Sequence, residues 1–171
     1  QQRGDGAQGM TEGAAELDPA EARTPLSDEE VRNIIFNETR SLSGPGIDDA
    51  RRELAHTIIN ADEAWGTQRG LHARTAPSTL PRNYSPAVEA RTLQFIESIV
   101  SRVRLERTLS IDPTRGATNF NIRPFASTRP RYWGPRLILH SVHGPFQNTL
   151  GSPQYIHIWR NPGARGTGIP F

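Results

Sequence analysis

SDEEVRNIIFNETRSL, residues 27–42, carries the first structural signal in the chain and its most informative acid. Ser27 with Glu30 makes a capping box, and Asp28, Glu29 and Glu30 put negative charge in a first turn, where the helix dipole favours it. A helix is therefore predicted to begin there. Val31, Ile34, Ile35 and Leu42 recur at helical spacing, and the slot left in that stripe is filled by Glu38. A carboxylic acid on an apolar face loses hydration of its charged form, so its pKa rises toward neutrality and it can donate a proton at working pH. Ser43-Gly44-Pro45-Gly46 is a breaker cluster that ends the helix.

Downstream, Asp48 and Asp49 open a second helix in which Ile47, Ala50, Leu54, Ile58, Ala61 and Trp65 share one face, with His56 pointing the other way. Residues 66–85 are rich in Gly, Thr, Arg, Pro and Ser and read as a long loop, a kind that in compact domains is usually functional. Ser85-Pro86 supplies an N-cap and a first-turn proline for a third helix running to about residue 108. Its inner face is predicted to be Val88, Phe95, Ile96, Ile99 and Val103. Arg91, Arg102, Arg104 and Arg107, with Glu89, Glu97 and Glu106, read as a solvated charged face.

After Asp112-Pro113-Thr114-Arg115-Gly116, a turn by its Asp, Pro and Gly content, the pattern changes to extended structure. Strands are predicted over Arg136–Val142 and Tyr155–Arg160, the latter alternating Tyr155, His157 and Trp159 against Ile156 and Ile158. The Gly- and Pro-bearing segment from 144 to 153 connects them as a hairpin, and residues 161–171 read as irregular. The fold class is α+β, with a helical first part and a small antiparallel sheet in the C-terminal part. Residues 1–26, dominated by Gly, Gln, Ala and acids, read as a flexible tail, leaving 27–171 as a single domain.

Composition excludes several chemistries. The chain of 171 residues has no cysteine, which removes disulfides, thiol catalysis and cysteine zinc sites. All 20 basic residues are Arg, which removes Schiff-base and lysine-base chemistry. A net charge of +2 makes no case for nucleic acid and supports at most weak attraction to an anionic polymer such as a cell wall. No run approaches the roughly 20 apolar residues of a membrane-spanning helix. The first 25 residues contain no apolar signal-peptide core, so a secretion signal would have to lie upstream.

Glu38 in IIFNETR, the helix ELAHTIIN ending at Asn60, the Ala90-Arg91 helix, and Asp112-Pro113-Thr114-Arg115-Gly116-Ala117-Thr118-Asn119-Phe120 together resemble the SleB/CwlJ family of bacterial cell-wall hydrolases over residues 30–121. The resemblance implies a lysozyme-like domain in which Glu38 is the catalytic acid and the 112–120 segment, including Asp112 and Phe120, shapes the substrate cleft. It further implies cleavage of peptidoglycan glycan strands, either as a muramidase or as a lytic transglycosylase, in which the N-acetylmuramic acid C6 hydroxyl is the nucleophile and one glutamate serves as acid and then base. A periplasmic or extracellular location follows from that activity, and no cofactor is implied. Thr39-Arg40 follows the glutamate where the family has Ala-Arg.

Glycosidic cleavage needs a proton on the leaving oxygen as positive charge develops at the anomeric carbon, a task suited to an acid such as Glu38. Thr114, Thr118 and Asn119 offer groups for a sugar's hydroxyls or N-acetyl group, and Tyr132 and Trp133 offer rings on which a sugar can lie. Two other classes remain open. His140, His143 and His157 suggest a zinc amidase or peptidase, although 140 and 143 face opposite sides of a strand. A noncatalytic wall-binding or interaction module would use the same aromatics and arginines without needing Glu38.

Overall fold

Ser27 Oγ accepts the Glu30 N–H at 3.1 Å and the Glu30 carboxylate accepts the Ser27 N–H at 2.9 Å, so helix α1 (Asp28–Thr39) begins where its capping box predicts. The computed structural model describes residues 25–65, 85–125 and 137–162. Among these, α1 is followed by a short strand β1 (Leu42–Ser43), helices α2 (Ile47–Trp65) and α3 (Pro86–Thr108), and strands β2 (Asn119–Arg123), β3 (Ile138–Asn148) and β4 (Gly151–Arg160). The strands form one antiparallel sheet in the order β1-β3-β4-β2.

The first correction concerns the end of α1. The helix stops at Thr39, whose hydroxyl donates back to the Ile35 carbonyl at 2.8 Å while its own carbonyl accepts from Arg51 Nη2 at 3.3 Å. Leu42 therefore enters the core from β1 and not from the helix stripe. At the other end, Leu26 is buried, its N–H donating to Asp62 and its carbonyl accepting from Arg104. The domain thus reaches back into the stretch predicted as tail, and residues 1–24 of that stretch lie outside the described residues.

Helix α2 is buried without interruption from Leu54 to Asp62, since α1, α3 and the sheet all pack on it. His56, expected to face away from the core, is fully buried against α3. Pro86 starts α3 as predicted, but the inward face is Glu89, Ile96, Val100, Val103 and Glu106. Val88 and Phe95 point outward, 52% and 57% exposed, so the stripe is rotated from the one predicted. Two glutamates can occupy inward positions because arginines from outside α3 face them: Arg40 Nη1, just past α1, lies 4.0 Å from Glu89, and Arg52 Nη2 of α2 lies 2.7 Å from Glu106.

In the sheet, β3 runs past the Gly144-Pro145 pair that reads as a turn, and the connection to β4 shrinks to Thr149 and Leu150. The strand passes this point through a register shift between His143 and Phe146. Gly144 adopts φ +122°, and a Cβ there would lie 2.8 Å from the Gln154 carbonyl oxygen, so the close approach admits only glycine. Ile156 and Ile158 of β4 point into the helices and are fully buried, in agreement with the predicted alternation. His157 and Trp159 occupy the other face, also buried, with Trp159 Nε1 donating to Asn121 Oδ1 at 2.7 Å.

A polar joint fastens α2 to α3. Glu106 accepts from His56 Nε2 at 3.0 Å and from Arg52 Nε at 2.9 and 3.0 Å, while His56 Nδ1 lies 3.3 Å from Arg107 Nη1. A neutral imidazole satisfies both neighbours, donating from Nε2 and accepting at Nδ1. Burial pushes the His56 pKa down, against the pull of Glu106 and Asp112. For Glu106 burial acts upward, but the hydrogen bonds from Arg52 and His56 outweigh it and bring the carboxyl to about 2.

Both groups bind protons less readily folded than unfolded, so their stabilisation is complete above the unfolded values and is lost as pH falls. Denaturant melts should show stability declining below pH 6.5, where unfolded histidine begins to charge, and more steeply below 4.5. Glu106→Ala should cost about 2–4 kcal/mol at neutral pH by leaving the part-buried Arg52 guanidinium and the buried His56 N–H without their acceptor, and should flatten the decline below 4.5.

Candidate functional site

Glu38 sits on the last turn of α1 and is half-buried. This differs from the expectation of a carboxylate on the buried stripe, because the fully inward slot of that turn belongs to Thr39. Of the arginines near in sequence, Arg51 is turned to Thr39, donating from Nε to its hydroxyl at 3.0 Å, and Arg52 is turned to Glu106. Arg40 lies over the Phe36 ring, 5.7 Å from its centroid, and near Glu89.

The Asp112 turn is a self-braced unit. Asp112 Oδ1 accepts the Thr114 N–H at 2.8 Å and the Thr114 hydroxyl at 2.7 Å, while Oδ2 accepts the Gly116 N–H at 2.9 Å and Asn60 Nδ2 at 3.0 Å. Arg115 and Gly116 both take left-handed backbone conformations, φ 55° and 82°, and the Arg115 N–H between the two bonded amides turns to the Asp112 carbonyl at 3.3 Å. Burial opposes ionisation of Asp112, but the bonds from Thr114, Asn60 and Gly116 prevail and hold its carboxyl below the usual range. It remains a carboxylate throughout the neutral range.

Asn60, fully buried on α2, locks this turn to the helices. Its Nδ2 donates to Asp112, to Thr114 Oγ1 at 3.3 Å and to the Ala117 carbonyl at 2.9 Å. Several sequence-predicted ligand contacts are thereby reassigned. Asp112 is occupied as a brace, and Thr114, with no exposed surface, packs beneath the turn where a ligand cannot reach it. Thr118 is buried and its hydroxyl donates to Asn119 Oδ1 at 2.8 Å. Asn119 and Phe120 are half-buried on β2, Phe120 lying against the core. Tyr132 and Trp133 lie outside the described residues.

No family model, curated protein or solved structure matches the chain. His157 is buried beside Trp159, whereas His143 Nε2 lies 3.0 Å from Glu53 Oε1, an oxygen that also accepts the Ser141 hydroxyl. Among the described residues no three or more His, Asp or Glu side chains gather as metal ligands.

Two features escaped the sequence reading. Glu89, read as solvated, is buried, and its pKa is raised by burial despite the opposing charge of Arg40. The spacing 89, 96, 100, 103 carries the signal, since it continues the true inward stripe of α3. Close by, an open groove of about 420 Å³ lies where α1 ends and α2 and α3 begin, lined by Arg40, Leu42, Ile47, Arg51, Ser85 and Val88 among others.

Asp112→Ala should remove the carboxylate that accepts from Thr114, Gly116 and Asn60, at a cost of about 2–4 kcal/mol in chemical denaturation. Amide exchange at Thr114 and Gly116 should accelerate well beyond the change in global stability, marking the loss as local.

Proposed function

We propose that the protein cleaves peptidoglycan glycan strands, with Glu38 as general acid and then base, in a lysozyme-like domain whose helical part and small sheet flank the cleft. The observation that carries this reading is the set of hydrogen bonds from Asn60 to Asp112, Thr114 and Ala117. Two separate pieces of the SleB/CwlJ-like pattern, the ELAHTIIN helix and the Asp-Pro-Thr segment, meet there as one rigid unit, which favours a genuine relationship over chance similarity. The half-buried position of Glu38 at a helix end is compatible with proton donation to a bound polymer.

In this mechanism Glu38 gives its proton to the glycosidic oxygen as the bond to the anomeric carbon breaks. The N-acetylmuramic acid C6 hydroxyl then attacks that carbon and yields its proton to the Glu38 carboxylate, closing a 1,6-anhydro ring and restoring the acid. Water in place of the C6 hydroxyl gives hydrolysis. A single-glutamate route fits the surroundings, because Asp112 has both carboxylate oxygens bonded within its own turn and is not poised as a nucleophile. A periplasmic or extracellular location accompanies the activity.

Mass spectrometry of purified peptidoglycan after incubation tests the reading. Wild type should release disaccharide-peptide fragments with reducing or 1,6-anhydro muramic ends, and Glu38→Gln should lower the rate by at least a hundredfold with wall binding retained. Cut peptide stems on intact glycan would refute the glycosidase, and wall binding without release in either protein would mark a binding module.

A further inference from the structure

The groove at the end of α1 has a built-in demand for an anion. Arg51 forms part of its wall with its side chain only 7% exposed. Of the five N–H donors of that guanidinium, Nε and one Nη2 proton bond Thr39, while Nη1 has among the described residues only the exposed Asp48 carboxylate at 3.8 Å, too far for a hydrogen bond. Arg40, which also faces Glu89 at 4.0 Å, lines the same space, so among the described residues both charged side chains of the lining are guanidinium groups. The N-termini of two helices converge on it through Ile47 of α2 and through Ser85 and Val88 of α3. Ser85 stands at the N-cap without making the side-chain bond a serine usually makes there. Helix dipoles and guanidinium forks act in the same sense.

We propose that this groove binds a carboxylate carried on a short peptide, and that in the protein's setting this is the peptide stem of the wall polymer. The ligand's identity as wall material rests on the function proposed above; the demand for a carboxylate rests on the groove alone. A planar carboxylate matches the spare edge of Arg51, and the apolar side chains Leu42, Ile47 and Val88 suit an aliphatic body such as alanyl residues. The volume exceeds what an inorganic anion fills. Arg40 is two residues past Glu38 around the helix, so the groove and the proposed acid occupy different sides of the α1 end and would hold different parts of one polymer.

Isothermal titration of the intact protein with N-acetylmuramyl dipeptide, its carboxamide counterpart and N,N′-diacetylchitobiose tests this. The acid should bind, with the amide and the neutral disaccharide at least tenfold weaker. Val88→Glu is the informative variant: position 88 is exposed, so the fold should tolerate the change, while a carboxylate added to the lining opposes a second one. It should weaken dipeptide binding at least tenfold, and Val88→Gln, which alters the same wall without adding charge, should weaken it markedly less. Equal binding of acid and amide, wild-type affinity in Val88→Glu, or no binding at all overturns the proposal. Glu38→Gln should bind the dipeptide unchanged, so loss of lysis there and loss of binding in Val88→Glu report separately on the two readings.

Discussion

A helix enclosed on every side can carry polar residues only if each finds a partner, and α2 carries several. His56 bonds Glu106 on α3, Asn60 bonds the Asp112 turn more than 50 residues away, and Asp62 receives the Leu26 N–H ahead of α1. Each bond is directional, so together they fix the rotation and depth of α2 in a way that the surrounding apolar contacts, which tolerate sliding, do not. The remaining elements are arranged around this pin. The Asp112 turn leads directly into β2, β2 pairs with β4, and β4 sends Ile156 and Ile158 back against the same helices.

The signals legible in the sequence were the local ones. The Ser27 capping box, the Ser85-Pro86 start and the Ile156/Ile158 alternation all depend on neighbours within a few residues, and they agree with the observed elements. The rotation of α3 was not legible, because Glu89 and Glu106 are faced by Arg40, just past α1, and Arg52 on α2, and no local rule reports such partners. The run of β3 through Gly144-Pro145 was hidden for the opposite reason. Two strong breakers signalled a turn, yet pairing with β4 continues past them through an irregular register.

In the site, the Asp112 turn was readable as a cap from its Asp and Gly, whereas the part played by Asn60 emerges only when helix and turn are seen in contact. Residues set apart for a ligand, Thr114 and Thr118 above all, proved to be consumed by the turn's own bonding. The rigidity this confers is relevant to chemistry: a scaffold whose polar groups are already satisfied does not rearrange when a polymer arrives. Charge that is not so satisfied collects elsewhere, around the buried guanidinium of Arg51.

The strand order has a further consequence. Of the two long strands β4 lies between β3 and β2, whereas β1 pairs with only Gln147 and Asn148 of β3, so among the described residues β3 from Ile138 to Phe146 has no strand partner on its β1 side. Unpaired main-chain groups on a long, flat border are a template for adding strands from other molecules. In β3 the template is broken at Gly144-Pro145, where the proline has no N–H and the register shifts, so an incoming strand could not continue one ladder along the whole edge.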